Sequence, residues 1–159
     1  MTASRKGECR AVFDTLLFVP AMAFAPQEAH VYALLLRKCC KVVVSDQITA
    51  QYYSVMNSRG YPGDAIFHEI TRLQTMNKLR RSTHNPDDVP GDLAPRKDRH
   101  IVAPCLDGTA NYIISGDRGL LEKRERIRQQ TGARVLDLRE AELEFAAKDD
   151  CPPDVAGQR

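Results

Sequence analysis

Four short runs of β-branched and aromatic residues, Ala11–Phe13, Val42–Ser45, Tyr112–Ser115 and Arg134–Leu138, are each bounded by polar groups. That pattern predicts strands, each too short for a two-layer β fold. Between them, apolar positions recur at helical spacing over Gln27–Cys39, Asp46–Ser58, Asp64–Leu79, Asp98–Leu106, Gly119–Gln130 and Arg139–Ala146. Strands that alternate with helices imply a parallel sheet covered on both faces, since parallel neighbours need crossovers and helices supply them. A fifth strand near Arg80–Thr83 completes such a sheet. The segment Asn85–Pro95 reads NPDDVPGDLAP, with four Pro or Gly and three Asp, and is expected to be a loop. It runs straight into Arg96-Lys97-Asp98.

Composition narrows the picture. The 159 residues are 43% hydrophobic and 28% charged, close to globular averages of about 45–50% and about 25%. One domain over residues 10–147 is expected, with frayed tails at 1–9 and 148–159. No apolar run approaches the roughly 18 residues of a membrane-spanning helix, and Met1–Arg10 has no signal-peptide apolar segment. A cytoplasmic protein with no membrane partner is the expectation. The net charge of +2 is too balanced to announce a nucleic-acid binder, so any polyanion site must be local. The five cysteines, Cys9, Cys39, Cys40, Cys105 and Cys151, form no C-x-x-C pair and do not suit a zinc site. Buried, reduced thiols are the better reading.

Two apolar strands run into an acid, and the carboxyl ends of parallel strands are where open α/β sheets bind ligands. Ala11-Val12-Phe13 leads into Asp14-Thr15, and Tyr112-Ile113-Ile114-Ser115-Gly116 leads into Asp117. Asp98 stands at a helix start, where capping is its commoner role. Taken singly, Asp14 and Asp117 read as cap or turn residues. If all three converge, like charges in one cleft call for a cation, and an oxygen-only ligand set suits Mg²⁺ or Mn²⁺. Metal-assisted phosphodiester hydrolysis uses that arrangement.

The run Lys97-Asp98-Arg99-His100-Ile101-Val102-Ala103, then Gly108, Ala110 and Tyr112-Ile113-Ile114-Ser115-Gly116-Asp117-Arg118-Gly119-Leu120-Leu121, resembles the C-terminal half of a PIN domain. It is most similar to the VapC-like nucleases that form the toxin component of toxin-antitoxin systems. Val12-Phe13-Asp14-Thr15, and Val43-Val44-Ser45 followed by a helix, fit the same pattern in order. The resemblance spans about residues 10 to 145. It implies a five-stranded, mainly parallel sheet in a three-layer α/β/α sandwich, a divalent-metal site and endoribonuclease activity, often restrained by an antitoxin protein. A homodimer is compatible with it. Asp14, Asp98 and Asp117 would be the catalytic metal ligands, supported by Thr15, Ser115 and Gln51.

Two positions depart from the family. Asp14-Thr15-Leu16 stands where Asp-Thr-Asn is usual, and Gln51 stands where the helix after the second strand usually carries an acid. A glutamine offers a neutral oxygen only, so cation affinity and water activation should weaken. Asp46 reads as an N-cap, and Glu69 lies on another helix. Arg118, Lys123, Arg124, Arg126 and Arg128 could hold a phosphate backbone, single-stranded or structured, or could be a solvated face with Glu122 and Glu125 as partners. Tyr52 and Tyr53 are expected in the core rather than stacked on bases, and His100 could reach the acids or hydrogen-bond behind them. The absence of Asp-x-Asp after the first strand and of glycine-rich nucleotide loops disfavours haloacid-type phosphatases, receivers and nucleotide-binding folds. A weakened nuclease and an inert RNA- or protein-binding module remain as the two readings.

Overall fold

The computed structural model describes residues 8–152. Five strands, β1 (Arg10–Phe13), β2 (Lys41–Val44), β3 (Leu79–Arg81), β4 (Tyr112–Ile114) and β5 (Arg134–Leu136), form one sheet in the order β3-β2-β1-β4-β5. Every pairing is parallel. Consecutive residues of a strand face opposite sides of a sheet, yet Ala11, Val12, Phe13, Val42, Val43, Val44, Ile113 and Ile114 are all fully buried. Both faces are therefore covered, as continuous apolar runs in parallel strands require. The architecture is the α/β sandwich with an all-parallel five-stranded sheet that the strand-helix alternation implied, and the fifth strand lies at Leu79–Arg81.

Eight helices are present among the described residues: α1 (Thr15–Met22), α2 (Pro26–Arg37), α3 (Asp46–Ser58), α4 (Asp64–Thr75), α5 (Arg99–Leu106), α6 (Arg118–Glu122), α7 (Arg124–Thr131) and α8 (Leu138–Ala146). The sequence pattern missed α1. Its residues Thr15, Leu17, Phe18, Val19 and Ala21 are buried, so TLLFVPAM is apolar nearly all round and shows no amphipathic period, and Pro20 lies inside it. The single helix expected over Gly119–Gln130 is two, α6 and α7, broken at Lys123. Ser45, not Asp46, caps α3: its hydroxyl accepts from the Ile48 N–H at 3.1 Å. The Asn85–Pro95 segment contains a 3-10 turn at Pro86–Asp88, and a second one, Arg96–Asp98, leads into α5.

The core beside β1 is aromatic. Phe18 of α1 stacks on Tyr52 of α3 with ring centroids 4.2 Å apart, while Tyr32 of α2 meets Phe13 and Phe18 edge-on. Tyr52 is fully buried, as expected, and its hydroxyl donates to the Phe13 carbonyl at 2.5 Å. Burial, with the Asp14 charge nearby, pushes that hydroxyl well above its ordinary pKa and keeps the proton on the donor. The bond ties α3 to the last residue of β1, immediately before Asp14.

The cysteines differ from the sequence reading. Cys9 is joined to Cys40 and Cys39 to Cys151, and only Cys105 is a free, buried thiol among the described residues. Spacing could not reveal this, because the pairing brings chain ends to one turn between α2 and β2. The two bonds remove the reduced-thiol support for a cytoplasmic location. They also hold residues expected to fray: the Lys41 N–H donates to the Cys9 carbonyl at 2.8 Å and the Cys151 N–H to the Arg37 carbonyl at 2.9 Å. The remaining tail residues, 1–7 and 153–159, lie outside the described residues. No described helix is long and apolar enough to cross a membrane.

Two outcomes follow. Tyr52→Phe leaves the Phe13 carbonyl without this donor and should lower unfolding stability by about 1–3 kcal/mol in urea titrations, whereas a loss under about 0.5 kcal/mol would show the bond contributes nothing. Denatured without reductant, the protein should expose one titratable thiol, Cys105, and all five only after reduction. Five thiols before reduction would contradict the pairing.

Candidate active site

The chain travels outward from β1 through β2 to β3, then returns to the other side of β1 for β4 and β5. The reversal opens a crevice at the carboxyl ends of β1 and β4, the usual ligand position in such sheets. Phe13 pairs with Ile114, so Asp14 and Ser115 leave the two strands side by side. The Asp14 N–H donates to the Ile114 carbonyl at 2.9 Å, and the Ser115 hydroxyl donates to Asp14 Oδ2 at 2.6 Å. Ser115 is wholly buried, and its oxygen also accepts from the Asp117 N–H at 3.0 Å. One hydroxyl thus orients Asp14 and fixes the backbone that carries Asp117.

Asp14 precedes α1 but its side chain makes no cap hydrogen bond, so its carboxylate is directed to Ser115 and the crevice. Asp117 does cap α6, accepting from the Leu120 N–H at 3.0 Å through Oδ2, while Oδ1 lies 3.6 Å from Lys97 Nζ. Asp117 therefore caps α6 through one oxygen and keeps the other toward Lys97. Asp98 ends the 3-10 turn before α5, yet its side chain caps nothing. Its Oδ2 is a buried polar atom with no hydrogen-bond partner. Burial first, then the Asp117 carboxylate and more weakly that of Asp14, push the Asp98 carboxyl from an ordinary 3.8 up to about 6; Lys97 opposes them.

Gln51, on α3, stands where the resemblance leads one to expect an acid. Its Oε1 accepts from the Thr15 hydroxyl at 2.9 Å and is hydrogen-bonded to His100 Nε2. An amide oxygen only accepts, so His100 carries its proton on Nε2. Burial lowers the His100 pKa against the pull of Asp14, which leaves the ring neutral at physiological pH. Ser115 is thus bonded to Asp14 and to the Asp117 backbone, Gln51 to Thr15, the residue after Asp14, and His100 to Gln51. Leu16 is exposed, at 57%, where the resemblance leads one to expect a polar side chain. Glu69 is no substitute acid, being engaged by Arg72 and by the Tyr32 hydroxyl.

Three of the five basic residues, Arg124, Arg126 and Arg128, pair with acids. Lys123 donates to the Asp92 carbonyl, Arg126 pairs with Asp92, Arg124 with Glu140 and Arg128 with Glu125. Arg118 is exposed beside Asp117. Sequence reasoning passed over Arg96 and Lys97, whose signal was their position directly after the proline-rich loop and directly before Asp98. With Gln47, Gln51, Asn85 and His100 they line a cavity of about 570 Å³ next to the acids. Among the described residues no group of three or more His, Cys, Asp or Glu side chains forms a ready-made metal cluster. Mg²⁺ does not need one, since it keeps several waters and binds through one or two carboxylates.

No family model matches the chain, and no curated protein matches it. Among solved structures it is similar to the crystal structure of PAE2754 from Pyrobaculum aerophilum, with 15% identity, a TM-score of 0.53, and coverage of 91% of this chain and 100% of that one. A PilT N-terminus domain protein, SSO1118, from the hyperthermophilic archaeon Sulfolobus solfataricus P2, shows 14% identity, a TM-score of 0.46 and coverage of 91% and 99%. The likeness to PAE2754 shows a shared fold.

The raised Asp98 pKa sets a pH dependence. A carboxyl that holds its proton more tightly folded than unfolded favours the fold when protonated, and that stabilisation is lost as pH rises from about 4 through about 6. In chelator, Asp98→Asn should therefore raise Tm at about pH 7.5 and change it little at about pH 4.5. Equal shifts at both pH values would place Asp98 outside this charge cluster.

Proposed function

We propose that this chain is a metal-dependent endoribonuclease of PIN type that hydrolyses phosphodiester bonds in RNA. The observation that carries this reading is the buried, partnerless Asp98 Oδ2 near Asp117 and Asp14, which follow the strands where the strand order reverses. A buried carboxylate oxygen without a donor fits a cation, and the hard oxygen set fits Mg²⁺ or Mn²⁺. Asp14, Asp98 and Asp117 would hold the ion. When bound, it supplies Lewis acidity and offsets negative charge that builds on the phosphate.

The chain's own residues do the rest. The Ser115 hydroxyl holds Asp14 in one rotamer, and the Leu120 N–H fixes Asp117 while leaving Oδ1 directed toward Lys97. Lys97 can turn from Asp117 to a phosphate oxygen, placing a positive charge at the site's edge. Gln51 brings no charge, so cleavage is slow. The PIN resemblance extends the proposal to a toxin component restrained by an antitoxin protein. A second reading, an inert PIN-like module that binds RNA or protein, is favoured by Gln51, whose oxygen is already engaged by Thr15 and His100.

Single-stranded RNA incubated with Mn²⁺ or Mg²⁺ separates the two. Cleavage is expected that chelator and Asp117→Asn abolish and that Gln51→Glu raises. RNA binding without turnover in wild type and in Gln51→Glu alike would favour the inert module.

A further inference from the structure

We propose that the cavity between the first turns of α3 and the two 3-10 turns is the subsite for one nucleotide of the RNA, beside the bond to be cut. This assignment rests on the nuclease reading and deepens it. The cavity, about 570 Å³ in volume, is open to solvent, as a subsite for one nucleotide of a longer chain requires. It adjoins the acids through three residues. Lys97 lines it and approaches Asp117, Gln51 lines it and is bonded to the residue after Asp14, and His100 lines it and feels the Asp14 charge.

Its lining has the chemistry of a nucleotide. Arg96 and Lys97 bring two cations against the single carboxylate of Asp87, leaving a net positive charge for a phosphate. Opposite them stand three side-chain amides. Gln47 and Gln51 are four apart on α3 and share a face. The oxygen of Gln51 is taken by Thr15 and His100, and the Asn85 oxygen accepts from the Asp87 N–H at 3.0 Å. With their oxygens engaged, both amides keep their NH₂ groups free to donate to the carbonyl oxygens of a base, and Gln47 can donate or accept. Single-stranded RNA is read in this way, by hydrogen bonds to base edges with flat side chains alongside, here the His100 and Pro86 rings. Two fixed donors select carbonyl-bearing bases such as uracil over adenine.

Uridine 5′-monophosphate is the probe, titrated into the protein in chelator and followed by calorimetry and by the side-chain amide signals of Gln47, Gln51 and Asn85. These signals should move, and binding should exceed that of inorganic phosphate and of adenosine 5′-monophosphate. Gln47→Ala should weaken uridine monophosphate about fivefold, the worth of one hydrogen bond, and leave phosphate unchanged. Arg96→Gln should weaken both. No binding, or equal affinity for phosphate and the nucleotides, overturns the subsite. Because no metal or cleavage is involved, uridine monophosphate binding by a protein that cuts no RNA would uphold the subsite while removing the nuclease. RNA cleavage that Gln47→Ala and Arg96→Gln leave unchanged would do the reverse.

Discussion

Two parallel strands that end in register, β1 at Phe13 and β4 at Ile114, put Asp14 and Ser115 next to each other, and the 2.6 Å hydrogen bond between them organises everything around it. The register depends on the apolar cores of both strands: shifting either strand by one residue would turn every side chain to the other face. The bond depends on burial, because a hydroxyl shielded from water has no competing partner. Ser115 then sets Asp117 through its backbone N–H, and Tyr52 braces the same strand end from α3. The strand ends that carry Asp14 and Asp117 are thus fixed by contacts that also close the core.

That arrangement has a cost. Asp98 is buried with one oxygen unsatisfied and two carboxylates nearby, a combination a fold selected for stability alone would avoid. Natural chains keep such groups where function requires them. The neighbouring Gln51, Thr15 and His100 are satisfied by one another, so the unsatisfied potential is confined to the acid side of the crevice. The proposed cation belongs on that side, and the proposed nucleotide beside the amides.

Much of this was legible in the sequence because strand patterns and acids at strand ends are local signals. Val42–Val44 and Tyr112–Ile114 declare themselves by β-branched composition, and Asp14 and Asp117 by following apolar runs. What escaped was set by tertiary contact. The helix over Thr15–Met22 has no polar face because neighbouring helices cover it, so periodicity is silent there. The cysteine pairs join residues 31 and 112 positions apart. The basic run reads equally as a phosphate rim or a solvated face, and its partners Asp92 and Glu140 are remote in sequence. Asp98 was the reverse case: local statistics favoured a helix cap, and only the folded chain leaves its carboxylate uncapped and buried.

Whether Asp14, Asp98 and Asp117 together take the proposed divalent cation is decided by Mn²⁺ titration in a calorimeter. Wild-type protein should bind one Mn²⁺ whose affinity falls as pH drops below about 6, where the Asp98 carboxyl regains its proton. Asp98→Asn should bind it weakly and with no such pH dependence. An absence of Mn²⁺ binding at neutral pH, or binding that Asp98→Asn leaves unchanged, would contradict the account.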